Sequence, residues 1–412
     1  MPQTVVLDEL RDDGATVRCS SDVAAALDST GLVRVEPLIG GDYRVLPRGK
    51  VGVTRIGDLQ VEVHPKDKVP LASVLFLLGY AADPWFRDEN VEMGRDDDLF
   101  TAIAEALVRQ VSRAVLRGVH RGYVTVDETS RTLRGRIRMG DQVRLHHGRS
   151  VPAEITYDEY SADIAENRIL LSALHRVLHI PRLGDETYAR ASALTAVFEG
   201  VSEIEVRGPL PPYKLTRLTE RYRPALTLAE LVLRHQSLRL GDAYGLVGAS
   251  FVASMETVYE DFVGVALQES LSRYRGRTTL QYGTRLDEPQ IGVPAVTMNV
   301  DVVHEVGLKP VIVADAKYKA ESMSGRFPNT DKYQMLAYCT ALGVDRAWLV
   351  YAAGGAPVVR RVRNVNVEIA DWSLDLAMSP IEILAQVQAL ADAMAERAGL
   401  ARQMAATTLQ TR

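Results

Sequence analysis

PVIVADAKYK, residues 310–319, decides how this chain is read. Val311, Ile312 and Val313 make it a strand, and the strand period of two puts Asp315 and Lys317 on one face. Ala314, Ala316 and Tyr318 fall on the other. A carboxylate and an ammonium are costly inside an apolar strand, so they need a reason. A salt bridge at a strand end is one. Another lies upstream, where Asp301 interrupts a second apolar strand, MNVDVV (298–303). If these strands are neighbours, two carboxylates and one ammonium converge on one spot. Two carboxylates so close resist joint ionisation unless a cation lies between them. Mg²⁺ suits the place because it takes carboxylate, carbonyl and water oxygens, and Mn²⁺ is expected to substitute. The Ala316 carbonyl is a further candidate ligand. A bound Mg²⁺ polarises a phosphate and lowers the pKa of a coordinated water. Lys317 then orients that water or stabilises the charge developing on the phosphate.

Two features outside the strand pair bear on the same chemistry. Downstream, DKYQMLAYC (331–339) reads as a helix from about 331 to 342, closed by Gly343. Gln334 and Tyr338 stand one turn apart on one face of it. Upstream, an amphipathic helix is expected over about 253–274, and Glu260 sits on it in VYEDFV (258–263). Glu260 is either a metal ligand, direct or through water, or a solvent-facing glutamate beside Asp261.

At 412 residues the chain exceeds the usual size of one hydrophobic core, so several domains are expected. The reading is an α+β multidomain protein in three parts. Residues 1–83 form a β-rich amino-terminal domain, with a hairpin turning at Gly57-Asp58. Residues 84–234 form a mainly helical middle domain. Its first helix is expected to carry Asp96 to Asp98 at its start and Gly118 past its end. Residues 235–412 form an α/β domain with a mixed central sheet. Its last helix opens at Ser379, Pro380 and Glu382, a capping box with proline at the first helical position.

The net charge of −5 means that any nucleic-acid contact must come from local patches. Arg109, Arg113, Arg117 and Arg121 recur at helical spacing, either as a solvated face or as a phosphate-facing one. Residues 131–149 hold six arginines against one aspartate, a patch for DNA, for RNA or for an acidic protein partner. Arg134, Arg136 and Arg138 are its candidate DNA contacts.

Other chemistries are excluded by what is missing. Two distant cysteines, Cys19 and Cys339, build neither a metal site nor a disulfide framework and suit a reducing cytoplasm. His146 and His147 have no acid or thiol at ligand spacing. There is no G-x-x-x-x-G-K-[ST] and no G-x-S-x-G. The start carries no secretory pattern, and the longest apolar run, about 69–82, is too short to span a bilayer. A cytosolic protein without membrane contact is expected.

D-(x13)-D-x-K followed by Q-x-x-x-Y resembles the RecB-like branch of PD-(D/E)xK nucleases. In order along the chain, further segments resemble the McrC family, nuclease subunits of McrBC-type modification-dependent restriction systems. They are KVGVTRIGDLQVEVHPK (50–66), LRGRI (133–137), EITYDEYSADIAENRILLSAL (154–174), YEDFV, NVDVV, ADAKYK and DKYQMLAY. The resemblance implies a Mg²⁺-dependent DNA endonuclease with Asp301, Asp315 and Lys317 at its core. It also implies an AAA+ GTPase partner of McrB type, a hexameric ring that the amino-terminal part stimulates and that recognises modified cytosine. The second acid is Asp where Glu is common in the superfamily, and no Pro precedes Asp301. The absent P-loop agrees with a partner that hydrolyses the GTP. Arg44, Arg48 and Arg55, in and beside the basic loop GGDYRVLPRGK (40–50), are candidates for stimulating it or simply arginines on a hairpin. Two other readings stay open: a stand-alone nuclease in repair or phage defence, and a non-catalytic regulator of an AAA+ ring.

Overall fold

A two-residue turn organises the amino-terminal sheet. The computed structural model describes residues 3–9, 14–65, 69–86, 99–147, 149–180, 183–205, 208–238, 248–288, 291–318, 329–352 and 355–401. It opens with β1 (Gln3–Asp8), β2 (Ala15–Arg18), α1 (Ser21–Ser29), β3 (Val33–Pro37), β4 (Asp42–Pro47), β5 (Val51–Ile56), β6 (Leu59–His64) and α2 (Leu71–Ala82). Strands β5 and β6 pair antiparallel about Gly57-Asp58, with Gly57 at φ 55° as such a turn requires. β1 joins β6 in parallel, and β2-β4-β3 make a separate small sheet. Gln60 on β6 is buried although polar, because it is hydrogen-bonded to Arg55 rather than solvated. Helices α1 and α2 lie inside a region read mainly as strands. The Ser20 cap marks the first, and the second is buried around its length from Ser73 to Tyr80.

The middle of the chain continues with α3 (Leu99–Val115), β7 (Gly122–Ser130), β8 (Arg136–Ile137), α4 (Met139–His146), β9 (Ala153–Ser161), α5 (Ala165–Leu178), α6 (Asp185–Val197), α7 (Arg223–His235) and β10 (Gln236–Leu238). Asp96 to Asp98 lie outside the described residues. The mainly helical expectation needs correction here, because a three-stranded antiparallel sheet β7-β9-β8 interrupts the helices. GYVTVDETS alternates strictly in exposure, the signature of a strand with one covered face, and helical spacing cannot produce it. The arginine stripe is broken as well. α3 ends at Val115, so Arg117 and Arg121 stand beyond it.

The last segment holds β11 (Gly248–Ala253), α8 (Met255–Leu271), β12 (Arg277–Arg285), β13 (Thr297–Val306), β14 (Lys309–Lys317), α9 (Asn329–Leu342), β15 (Arg346–Tyr351), β16 (Val358–Arg361), β17 (Glu368–Ser373) and α10 (Pro380–Arg397). Six strands form a mixed sheet in the order β12-β13-β14-β15-β17-β16. β14-β15 and β15-β17 are parallel and the other pairs antiparallel. Helix α9 seals one face, where Met335, Tyr338 and Cys339 pack on Val303, Val313 and Leu349. The capping box at Ser379 and Glu382 starts α10 as expected.

Residues 1–95 and 239–412 make one compact unit and residues 96–238 the other, so the first and third segments read from the sequence cluster together. Within the first unit β11 pairs antiparallel with β5. Gly52, at φ 144°, makes this possible, because a Cβ there would stand 1.9 Å from the Phe251 carbonyl oxygen. Helix α2 packs on α8 through Phe76, Tyr80 and the fully buried Phe262, whose ring centroids lie 5.6–5.9 Å apart. Phe262→Ala removes the ring that both partners share. It is expected to cost ~3–5 kcal/mol by urea unfolding, whereas the same truncation at exposed Tyr188 should cost almost nothing.

Candidate active site

The β13-β14 hairpin builds the site. It turns at Gly307, φ 68°, and the register Val302↔Ala314 and Val303↔Val313 sets Asp301 beside β14 just before Asp315 and Lys317. Val313 packs in the α9 cluster, so Asp315 and Lys317, two and four residues on, share that face. Asp301 Oδ2 accepts the backbone N–H of Ala316 at 2.9 Å, and Lys317 Nζ pairs with Asp315 Oδ2. Both acids are buried, Asp315 at 1% exposure and Asp301 at 9%.

Burial pushes the Asp315 carboxyl up, the Asp301 charge adds to the shift, and Lys317 opposes it, leaving Asp315 at about 7. Glu260 on α8 is half-buried and also pushed up to about 7, by burial first and then by Asp301. It therefore shares a field with the strand pair rather than standing apart in solvent. Asp261 beside it is exposed at the surface, and burial followed by Asp301 raises it too. Burial works to lower the pKa of the Lys317 ammonium, but the charge and hydrogen bond of Asp315, with the charges of Asp301 and Glu260, together outweigh it and raise the pKa.

Gln334 and Tyr338 are joined to each other. The Gln334 amide donates to Tyr338 Oη at 2.6 Å, and that hydroxyl donates to the Asn299 carbonyl at 2.7 Å, two residues before Asp301. Burial first, then Asp315, pushes the phenol up to about 12, so it remains a donor. The pair thus ties α9 to the strand that carries Asp301. Sequence reading missed Gln281 on β12, whose amide donates to Asp301 Oδ1 at 3.2 Å. Nothing in LQYGTR marks it, because β12 itself went unread.

Among the described residues no three His, Cys, Asp or Glu side chains stand together as a ready-made cage for a metal. The donor set still fits one class of ion. Two buried carboxylates, with Glu260 within reach of the Asp301 charge, suit a hard cation that keeps most of its waters, as Mg²⁺ does. They do not suit zinc, which needs three or four protein ligands of its own.

The arginines are distributed differently from the expectation. Arg55 is buried and donates to Gln60 Oε1 at 2.6 Å, within a chain that continues through Glu62 to His64. Buried there, it ties β5 to β6 across the hairpin. Arg48 is exposed and pairs with Asp28 at 2.9 Å. Arg44 is exposed on β4, next to a hairpin tip that presents Leu38 and the fully exposed Ile39. In the basic patch, Arg134 pairs with Glu128 at 2.7 Å and stacks 3.8 Å above the Tyr157 ring. Arg138 pairs with Asp141 at 2.5 Å and with buried Glu154 at 2.9 Å. Both arginines thus have acidic partners within the chain, while Arg136 is exposed on β8.

The raised carboxyl of Asp315 fixes the sign of a pH effect. The folded state holds its proton up to about 7, while the unfolded chain releases it near the ordinary carboxylate value of 3.8. Over that window the folded state binds more protons, so stability falls as pH rises. The urea midpoint is expected to drop between about pH 4 and 7, and Asp315→Asn to flatten that drop. An equally steep drop in the variant would show that Asp315 is not the group responsible.

The chain matches the family model described as McrBC 5-methylcytosine restriction system component over residues 46–352. No curated protein matches it. Among solved structures it is similar to a chain in the refined half-complex from the tetradecameric assembly of Thermococcus gammatolerans McrB AAA+ hexamers with bound McrC. The two are 17% identical, with a TM-score of 0.62 covering 95% of this chain and 100% of that one. A second match, the cryo-EM structure of the Thermococcus gammatolerans McrBC complex, is 21% identical and covers 66% of this chain and 90% of that one. Its TM-score is 0.42. The family match spans more than half of the 412 residues, and the first structure shares the fold over nearly all of them. The chain belongs to the McrBC family of 5-methylcytosine restriction system components.

Proposed function

We propose that this chain is the endonuclease subunit of a GTP-dependent restriction complex directed at modified cytosine. It hydrolyses DNA phosphodiester bonds with Mg²⁺ in a PD-(D/E)xK site. One observation carries the reading: Asp301, Asp315 and Lys317 meet on adjacent buried strands, with the two acids in each other's field. A merely structural salt bridge needs only one of those acids. Asp301 and Asp315 would hold the cation, and Glu260 and the Ala316 carbonyl would complete its oxygens. When bound, Mg²⁺ supplies Lewis acidity and an acidified water.

The chain's own groups do the rest. Ala316 N–H and Gln281 fix the two oxygens of Asp301. Lys317 remains protonated beside Asp315 and presents positive charge where the scissile phosphate gathers negative charge. Tyr338, as a protonated donor, holds β13 in place through Asn299. Lys317→Ala is expected to lower cleavage of methylated DNA by ~10²-fold or more while leaving association with the partner intact. Loss of both together would mark a structural lysine. Strong cutting by the chain alone, without GTPase or GTP, would favour a stand-alone nuclease.

The proposed partner is an AAA+ GTPase of McrB type, as in the half-complex whose fold this chain shares. The β3-β4 hairpin is the proposed contact, with Arg44 as the stimulating group and Leu38 and Ile39 as its apolar tip. Point variants test it better than truncation, since β11 and α8 rest on β5 and α2. Arg44→Ala is expected to lower GTPase stimulation by ~10-fold or more at unchanged melting temperature, whereas Arg55→Ala lowers the melting temperature. Full stimulation by Arg44→Ala would remove Arg44 from the role.

A further inference from the structure

Strand β12 is regular except at one residue. Its ladder with β13 runs without a register slip from Arg277↔Glu305 to Arg285↔Thr297, and Leu280↔Val302 and Tyr282↔Val300 flank the position facing Asp301. That position is Gln281, at φ 49°, in the left-handed region that side chains with a Cβ seldom occupy. Regular strands put residues 280 and 282 on one face. Here Leu280 packs on Gly264 of α8, while Tyr282 packs into the α9 cluster with Val300 and Met335. The partner strand shows the same break, since Val300 and Val303 both belong to the α9 cluster although three residues apart.

The pleat therefore inverts on both strands at the pair Gln281–Asp301. Such strain persists only where the surroundings impose it, and it gathers at functional sites. Its result is visible: the Gln281 amide reaches Asp301 Oδ1 at 3.2 Å while the Ala316 N–H holds Oδ2 at 2.9 Å, so each oxygen has its own donor. A carboxylate tethered at both oxygens cannot swing, and its remaining lone pairs have one direction.

We propose that Gln281 is a positioning residue for Asp301, placed by its left-handed backbone to fix the carboxylate for a divalent cation. This rests on the metal-dependent reading of the site above, and it adds a residue that the D-x-K and Q-x-x-x-Y patterns do not contain. Groups that hydrogen-bond a metal ligand in this way typically change affinity 10–100-fold when removed.

Backbone strain and amide contact are separable by substitution. Glycine adopts the left-handed conformation freely and lacks the amide, while alanine lacks the amide and keeps the strain. Mg²⁺ affinity of the full chain, read by calorimetric titration without DNA, is compared with melting temperature without metal for Gln281→Gly, Gln281→Ala and Asp301→Asn. Gln281→Gly is expected to bind Mg²⁺ ~10–100-fold more weakly than the parent, with a melting temperature equal or higher. Gln281→Ala should bind as weakly and melt lower. Parental affinity in Gln281→Gly overturns the positioning role and leaves the metal site standing. A collapse of its melting temperature also overturns the role, by making the residue structural. A parent that binds Mg²⁺ no better than Asp301→Asn removes the metal-dependent reading itself and this role with it.

Discussion

The hydrogen bond from Ala316 N–H to Asp301 is the contact on which the site depends. A backbone donor to a buried carboxylate is worth ~1.5–3 kcal/mol, and it ties a side chain of one strand to the backbone of the next. It joins Asp301 to the segment holding Asp315 and Lys317, so the three groups cannot drift apart without breaking the hairpin. Neighbouring elements secure the same strand. Tyr338 of α9 grips Asn299, and Gln281 of β12 holds the other oxygen of Asp301. The family match and the shared fold give this arrangement a setting, a component of an McrBC restriction system.

Electrostatically the cluster is poised rather than relaxed. Asp315 and Glu260 both titrate near 7, because burial and the charge of Asp301 resist their ionisation. The Lys317 ammonium offsets part of that repulsion. A divalent cation would offset more, and with so few protein oxygens it would keep waters of its own. On the proposed reading a cation held there would supply an acidified water, and Lys317 would orient it or meet the charge developing on the phosphate.

How legible this was depended on length scale. The D-x-K strand, its partner, the Q-x-x-x-Y helix and the α10 cap are local patterns, and each appears where the residues placed it. Elements whose meaning lies in distant partners were lost. β12 and β17 are mixed in polarity and stabilised by the strands beside them rather than by their own periodicity. The β7-β9 sheet hid among helices because its covered face is only half-buried. Charge was the least legible of all. Arg55 and Arg138 look like surface cations in sequence, but Gln60 and Glu154, brought close by strand pairing, make them part of the scaffold. Glu260 went the other way, since two equal readings separate once α8 is set against β13 and β14.

The most direct measurement is a crystal of the full chain soaked in Mn²⁺ and examined by anomalous scattering. The account predicts a peak bonded to the carboxylates of Asp301 and Asp315, lost in Asp315→Asn. A well-ordered site with no peak there, or Mn²⁺ bound only elsewhere, would contradict it.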